Sequence, residues 1–438
     1  MNFDVQCFES KALGEKYYQA THSSGLTVLV YPKKLSTSYA MFSTKYGSLE
    51  RTFRRDGEEF VTVPDGVAHF LEHKLFEEPD GSDVFAKFAS LGASANAFTS
   101  HEMTSYLFST TDYLDECLAI LLDFVTHPHF TKENVQKEQG IIGQEIGMCD
   151  DNPGNRLYYS LLEGLYQKHN VRVNIAGTVK TIAEITPELL YRCYETFYHP
   201  SNMLLTVCGD TTLNAVMDTV SRVLPAKVAP ISVDRSYPAE NEALCRPYTE
   251  FSMEVATPLF ACGVKDLAVF ASPVEKAKHA VLAEMLGKCF FSRSAEFYNE
   301  LYDNGLIVKD IDYSYEAMNA CAYLMIAGES ERPLDAYHRI ENLLKNIHQN
   351  IPSMETFSRI KRVMYANYIR SFDSTEEIAG ALTDHFFHGM ELFSFGDIIS
   401  SVSYEDFTHF CKTFFADKKF SLSVITPVNN KRREDGNA

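Results

Sequence analysis

A chain of 438 residues is about three times the usual domain length, so it should divide into two or more cores. Hydrophobic residues at 45% and charged residues at 23% match a globular protein and leave disorder, collagen and coiled coil without support. Lysine plus arginine number 40 against 59 aspartate plus glutamate, a net charge of -19, which disfavours a nucleic-acid backbone or an anionic membrane as partner.

The amino-terminal MNFDVQCFESKALGEKYYQ carries charges where a secretory signal needs an apolar run, and no apolar stretch reaches the ~18 residues of a membrane span. A soluble, cytoplasmic protein is expected. The ten cysteines form no C-x-x-C pair and read as buried, reduced thiols.

From Leu26, LTVLVYP and STSYAMFSTKYGS alternate as strands of an antiparallel meander. An apolar helix is expected over 66–77, strands over 94–98 and 104–110, and helices near 112–126 and 131–149. Runs of strands followed by helices predict α+β layers. A segment rich in proline and charge, Ala226–Pro247, reads as a linker. On either side the sequence repeats weakly. ITPELLYRCYETFYHPSNMLLTVCGD overlies VSYEDFTHFCKTFFADKKFSLSVITP, with Glu188 on Glu405, Phe197 on Phe414 and Leu205 on Leu422. That offset is nearly half the chain and implies a duplicated α+β domain. The expected domains are 1–225, a linker at 226–247, and 248–438.

In DGVAHFLEHKLFEE, His69, Glu72 and His73 form H-x-x-E-H on the predicted helix. Residues four apart share a helical face, so both imidazoles can reach one zinc ion. The pattern is the inverse of H-E-x-x-H and a known zinc-peptidase signature. Two satisfied core histidines would give the same pattern, and a third ligand would decide between the readings. A candidate lies in KENVQKEQGIIGQEIGMCDD, where Glu138 and Glu145, seven apart, share a face within about 20°. Ile141 and Ile142 lie close to that face. Gly140, Gly143 and Gly147 line the other, where another backbone is expected to pack closely.

With that glutamate pair following H-x-x-E-H, the chain resembles the pitrilysin or insulinase family of zinc peptidases, which includes insulin-degrading enzyme and mitochondrial processing peptidase. Its likeness is greatest to the bacterial two-domain YmfH-like subgroup and extends through GASANAFTSHEMTSYLFS and FYHPSNMLLTVCGD. The resemblance implies zinc held by His69, His73 and Glu145, Glu72 as general base, and Glu138 as an orienting carboxylate. Two histidines and a glutamate also suit cobalt or manganese. It implies two homologous domains, each a mainly antiparallel sheet with helices on one face, enclosing a chamber. It also makes Ala95, Asn96, Ala97 and Phe98 the edge strand along which a peptide substrate extends; from the residues alone SANAF is a core strand.

The second half departs from the pattern. Where the family carries an arginine and, seven residues on, a tyrosine, this chain has Leu301 and Val308, and neither can bind an oxyanion. Tyr302, Tyr313 and Tyr315 are the possible substitutes. The expectation is a zinc endopeptidase for peptides or short unfolded polypeptides, the metal-bearing subunit of a heterodimer whose homologous partner lacks H-x-x-E-H and supplies Arg and Tyr. The alternatives are a self-sufficient homodimer and a silent peptide-binding scaffold. His385 and His388 read as ordinary helix residues, His127 and His129 as turn residues, and His101 as a neighbour of the edge strand. The terminal NNKRREDGNA reads as a polar tail too short to hold nucleic acid.

Overall fold

The computed structural model describes residues 4–79 and 81–428, so NNKRREDGNA lies outside the described residues. The first half begins with β1 (Val5–Ser10), β2 (Glu15–Thr21), β3 (Thr27–Pro32) and β4 (Ser38–Thr44), followed by the short β5 (Thr52–Arg55) and β6 (Val61–Thr62). Two helices, α1 (Val67–Leu75) and α2 (Val84–Ser90), lead into the hairpin of β7 (Ser94–Thr99) and β8 (Thr104–Thr110). Next come α3 (Leu114–Thr126), α4 (Lys132–Asp151), α5 (Pro153–Leu165), α6 (Val179–Ile182), α7 (Pro187–Phe197), β9 (Met203–Gly209) and α8 (Leu213–Val223). After β10 (Val233–Ser236) the second half runs through β11 (Tyr248–Met253), β12 (Leu259–Asp266), α9 (Pro273–Phe291), α10 (Glu296–Asp303), β13 (Asp312–Ala317) and β14 (Ala322–Glu329). It continues with α11 (Pro333–Lys345), α12 (Met354–Ser371), α13 (Thr375–Phe387), α14 (Ser394–Ser401), α15 (Tyr404–Thr413) and β15 (Ser421–Pro427).

Two sheets repeat one topology. The first has the order β1-β2-β3-β9-β4-β8-β7 and the second β11-β15-β12-β14-β13, so the last five strands of the first match the second one for one. In each, one pair is parallel, β3 with β9 and β11 with β15, and the remaining pairs are antiparallel. The repeated sequence segments fall on equivalent elements, α7 with β9 and α15 with β15. The two-domain α+β architecture expected from the sequence is therefore the one observed.

Its details differ in three places. β3 and β4 do not form a meander, because β9 lies between them. Every residue of β9 is buried, and such a strand gains most at the centre of a sheet. Its alternate side chains then face opposite layers. Leu205 and Val207 join Val28, Phe42 and Tyr106 in the core beneath α1 and α3, whereas Leu204 and Cys208 join Tyr31 and Met41 against Ile378 and Leu382 of α13. Helices thus cover both faces of the first sheet, not one. Finally, the compact units do not follow the contiguous ranges 1–225 and 248–438. The first takes the chain up to Ile146 with Val173–Tyr237 and Ala366–Gly396, so it includes α13. The second takes Gly147–Arg172, Pro238–Tyr365 and the chain from Asp397, and its sheet packs against α5. Each half lends a helix to the other's sheet, an exchange that periodicity along one segment cannot reveal.

Nor is 226–247 a structureless linker. Within it β10 pairs with β5, and the Tyr237 hydroxyl donates to the buried Glu50 carboxylate at 2.9 Å. None of the ten cysteines, all among the described residues, forms a disulfide; seven are buried, but Cys7 and Cys245 are exposed.

In the second unit a buried carboxylate ties several elements together. Asp266 accepts from Tyr315 Oη at 2.7 Å and from Lys418 Nζ at 3.0 Å, and lies 2.8 Å from His279 Nε2. Burial alone would raise its pKa, but these partners outweigh it and hold the carboxyl well below the usual range. A depressed folded-state pKa gives stability that is complete above the unfolded value near ~3.9 and is lost as pH falls below it. Asp266→Asn should therefore cost about 3–5 kcal/mol at neutral pH, and thermal melts should show the gap to wild type narrowing as pH drops from 5 toward 3.

Candidate metal centre

Gly66 starts α1 with φ +94°, and a Cβ there would lie 2.5 Å from the Ala176 carbonyl oxygen, so the turn into this helix requires glycine. Val67, Ala68, Phe70, Leu71 and Leu75 anchor the helix in the first core. That burial fixes its rotation and leaves His69, Glu72 and His73 on the remaining face. The start of α4 is closed reciprocally, Asn134 N to Thr131 Oγ1 at 3.2 Å and Thr131 N to Asn134 Oδ1 at 2.9 Å. Val135, Ile142 and Ile146 are buried, and Glu138 and Glu145 share their side of α4.

The two helices bring the predicted residues together. His69 Nε2 lies 3.5 Å from Glu145 Oε1, and His73 Nε2 lies 3.5 Å from Glu145 Oε2. The imidazole centroids are 4.6 Å apart. Among the described residues this is the one group of three or more His, Cys, Asp or Glu that could hold a metal ion, with ligand atoms all within 4.8 Å of one another. The 3.5 Å separations are too long for hydrogen bonds but close to the ~3.3 Å edge of a tetrahedron with zinc bonds of about 2.0–2.1 Å. Two imidazoles and a carboxylate are a zinc donor set, and these residues fit the ion.

Around the triad lie two further carboxylates. Glu138, buried, places Oε1 at 3.0 Å from His73 Nδ1, a contact that commits the other ring nitrogen, Nε2, to the centre. Glu72 Oε2 accepts from Thr99 Oγ1 at 2.6 Å. Burial alone would lower the His73 pKa, but Glu138, Glu72 and Glu145 outweigh it, so the net shift is upward. The neighbouring His69 imidazole draws the Glu145 pKa down against the effect of burial. In the metal-free protein a proton on His73 therefore competes with the cation.

No sequence motif marks Lys74. It is fully buried, pairs with Glu77 and lies 3.7 Å from Glu138 Oε2. A lone lysine in an apolar helix is its sequence signal, because a buried ammonium requires an anion nearby. Glu138→Gln keeps a carbonyl acceptor for His73 but loses the charge facing Lys74. Zinc affinity should fall about 10- to 100-fold, measured by competition with a chromophoric chelator.

Other expectations need correction. Among the described residues, a Cβ on Gly140, Gly143 or Gly147 would meet no atom of another segment within 4 Å, so none of their backbone packs against that face of α4. Ile142 is buried, but Ile141 is 45% exposed. His388 is not an ordinary helix residue: its Nε2 is 3.0 Å from Glu102 Oε2 and its Nδ1 3.3 Å from Asp384 Oδ1. Burial opposes the charge, but these partners raise its pKa to about 10. His385 and His127 meet backbone carbonyls of Ala381 and Asp123, and His101 Nδ1 lies 2.9 Å from Ser48 Oγ. Ala95, Asn96, Ala97 and Phe98 all lie on β7, which among the described residues pairs only with β8 and so is an edge. Asn96 and Phe98 point outward, while Ala95 and Ala97 pack on the core.

In the second unit Leu301 is buried in α10 and Val308 is exposed. The Tyr313 and Tyr315 hydroxyls already donate, to Ala283 O at 2.8 Å and to Asp266, and Tyr302 is exposed.

Residues 63–179, which hold all five candidate residues, match the sequence model of Insulinase (Peptidase family M16), and residues 184–364 match that of the Peptidase M16 inactive domain. The uncharacterized zinc protease YmfH of Bacillus subtilis strain 168 is 38% identical over 427 residues, 97% of this chain and 99% of that protein. The chain belongs to the M16 insulinase family. A crystal structure of a putative M16-like peptidase from Alicyclobacillus acidocaldarius superposes with a TM-score of 0.88 at 32% identity, covering 98% of this chain and 99% of the other. A protease from Helicobacter pylori shares the M16 fold, with a TM-score of 0.80 at 19% identity over 94% of this chain and 100% of that one. M16 relatives named zinc proteases agree with the donor set found here. Among the described residues no helix is long and apolar enough to cross a membrane.

Proposed function

We propose that this M16 chain is a zinc-dependent endopeptidase acting on peptides or short unfolded polypeptides, and that it is the metal-bearing member of a heterodimer. The observation that carries the peptidase reading is the convergence of His69, His73 and Glu145 within 4.8 Å, beside a glutamate one residue from a ligand. A bound zinc supplies Lewis acidity to the reacting water and carbonyl. His69, His73 and Glu145 would hold it, and Glu138 keeps His73 in the tautomer whose Nε2 is free to coordinate. Glu72 accepts the proton of the attacking water and passes it to the departing amine. A substrate segment adding to the free edge of β7 hydrogen-bonds through its backbone, which suits an enzyme that reads chain conformation more than side chains.

Support for a partner comes from the second half, where Leu301 and Val308 offer no oxyanion donor and Tyr313 and Tyr315 are engaged within their own unit. Mixing the purified zinc-loaded chain with a homologous chain that carries the Arg and Tyr but no H-x-x-E-H should raise the cleavage of a quenched fluorescent peptide library at least ~10²-fold. Full activity of this chain alone would overturn the heterodimer.

A further inference from the structure

We infer that Thr99 is a positioning residue that fixes Glu72 to the edge strand, so that the strand receiving the substrate and the base acting on it form one rigid piece. The inference deepens the peptidase reading above and rests on it. Thr99 is the last residue of β7, and on that strand Ala95, Ala97 and Thr99 alternate onto the inward side. The two alanines pack on the core and leave room for α1; Thr99 is the one polar residue in that row. Its hydroxyl reaches Glu72 Oε2 at 2.6 Å, a length typical of a charge-assisted O–H···O bond.

The direction of that bond is fixed by its surroundings. The Thr99 hydroxyl donates and the Glu72 oxygen accepts. The neighbouring hydroxyl, Thr104 Oγ1 at 3.3 Å, donates to the Tyr46 carbonyl oxygen at 3.0 Å and does not compete for Glu72. Threonine is stiff about χ1, so the donor is already in place before substrate arrives. A base held in this way needs no search when a peptide aligns on β7, whereas a misplacement of ~1 Å can cost about 10²-fold in rate.

Three chains decide the matter: wild type, Thr99→Val, which keeps the shape and removes the donor, and Thr99→Ser, which restores it. Each is assayed on the peptide library in whichever assembly makes wild type active, with bound zinc measured in parallel. The expected result is a kcat about 10- to 100-fold lower for Thr99→Val with KM within a factor of about three, unchanged zinc content, and most of the rate recovered in Thr99→Ser. A Thr99→Val rate equal to wild type, or a Thr99→Ser rate as low as that of Thr99→Val, overturns the inference. Crystal structures of wild type and Thr99→Val supply a readout independent of turnover. A Glu72 carboxylate that stays in place without the hydroxyl also overturns it. If Glu72 moves in the variant while wild type cleaves nothing in any assembly, the link between Thr99 and Glu72 stands and the peptidase reading is what fails.

Discussion

Glu72→Gln should bind zinc as tightly as wild type and cleave peptides roughly 10²- to 10⁴-fold more slowly. Glutamine matches glutamate in shape, and its carbonyl oxygen can still accept the Thr99 hydroxyl, so α1 and β7 stay joined. The first core under α1 is untouched, because Phe70 and Leu71, not Glu72, fill it. What the amide cannot do is take a proton from water at neutral pH. Retained zinc with lost turnover would separate the base from the ligands. Steady-state kinetics beside metal analysis is the check, and a Glu72→Gln chain with wild-type kcat would show that the proton goes elsewhere.

Glu145→Gln should do the reverse and lose the metal itself. Glu145 is the one anion within the triad, and each of its oxygens faces one imidazole at 3.5 Å. An amide is a poor ligand for zinc and leaves the ion without charge compensation. The loss should exceed the 10- to 100-fold that removal of an outer hydrogen-bond partner costs. Thermal stability offers a second readout. Zinc at a hundred times its dissociation constant stabilises a folded binder by about 2.7 kcal/mol, so wild type should melt higher on zinc addition and Glu145→Gln should not. The metal-free variant should melt close to metal-free wild type, because Glu145 is only partly buried and supports no core packing. An equal zinc response in both would remove Glu145 from the site.

Much of this site was legible in the sequence because its parts are local. H-x-x-E-H needs only the helical period to place His69 and His73 together, and Glu138 with Glu145 needs only the same period on α4. The repeat was legible for a similar reason, since α7 with β9 and α15 with β15 are short units whose apolar spacing survives duplication. What the sequence hid depends on distant pairing. Nothing near Thr27 or Ser38 signals that Met203–Gly209 will separate β3 from β4, although the run of β9, apolar but for Thr206, marks a central strand. The exchange of α5 and α13 between the sheets is invisible to any window shorter than the whole chain. Lys74 and Thr99 have meaning only through Glu138 and Glu72, which belong to other elements in the fold. The glycines of α4 are the opposite case: a strong sequence signal, with open space beside each of them.

Metal binding by the intact chain is the most direct test of a zinc site at His69, His73 and Glu145. Purified wild type, stripped of metal, dialysed against zinc and analysed by elemental mass spectrometry, should retain one ion per chain, the number of ligand groups found. A His69→Ala, His73→Ala double variant treated identically should retain none. Wild type that keeps no zinc, or a double variant that keeps as much as wild type, would contradict it.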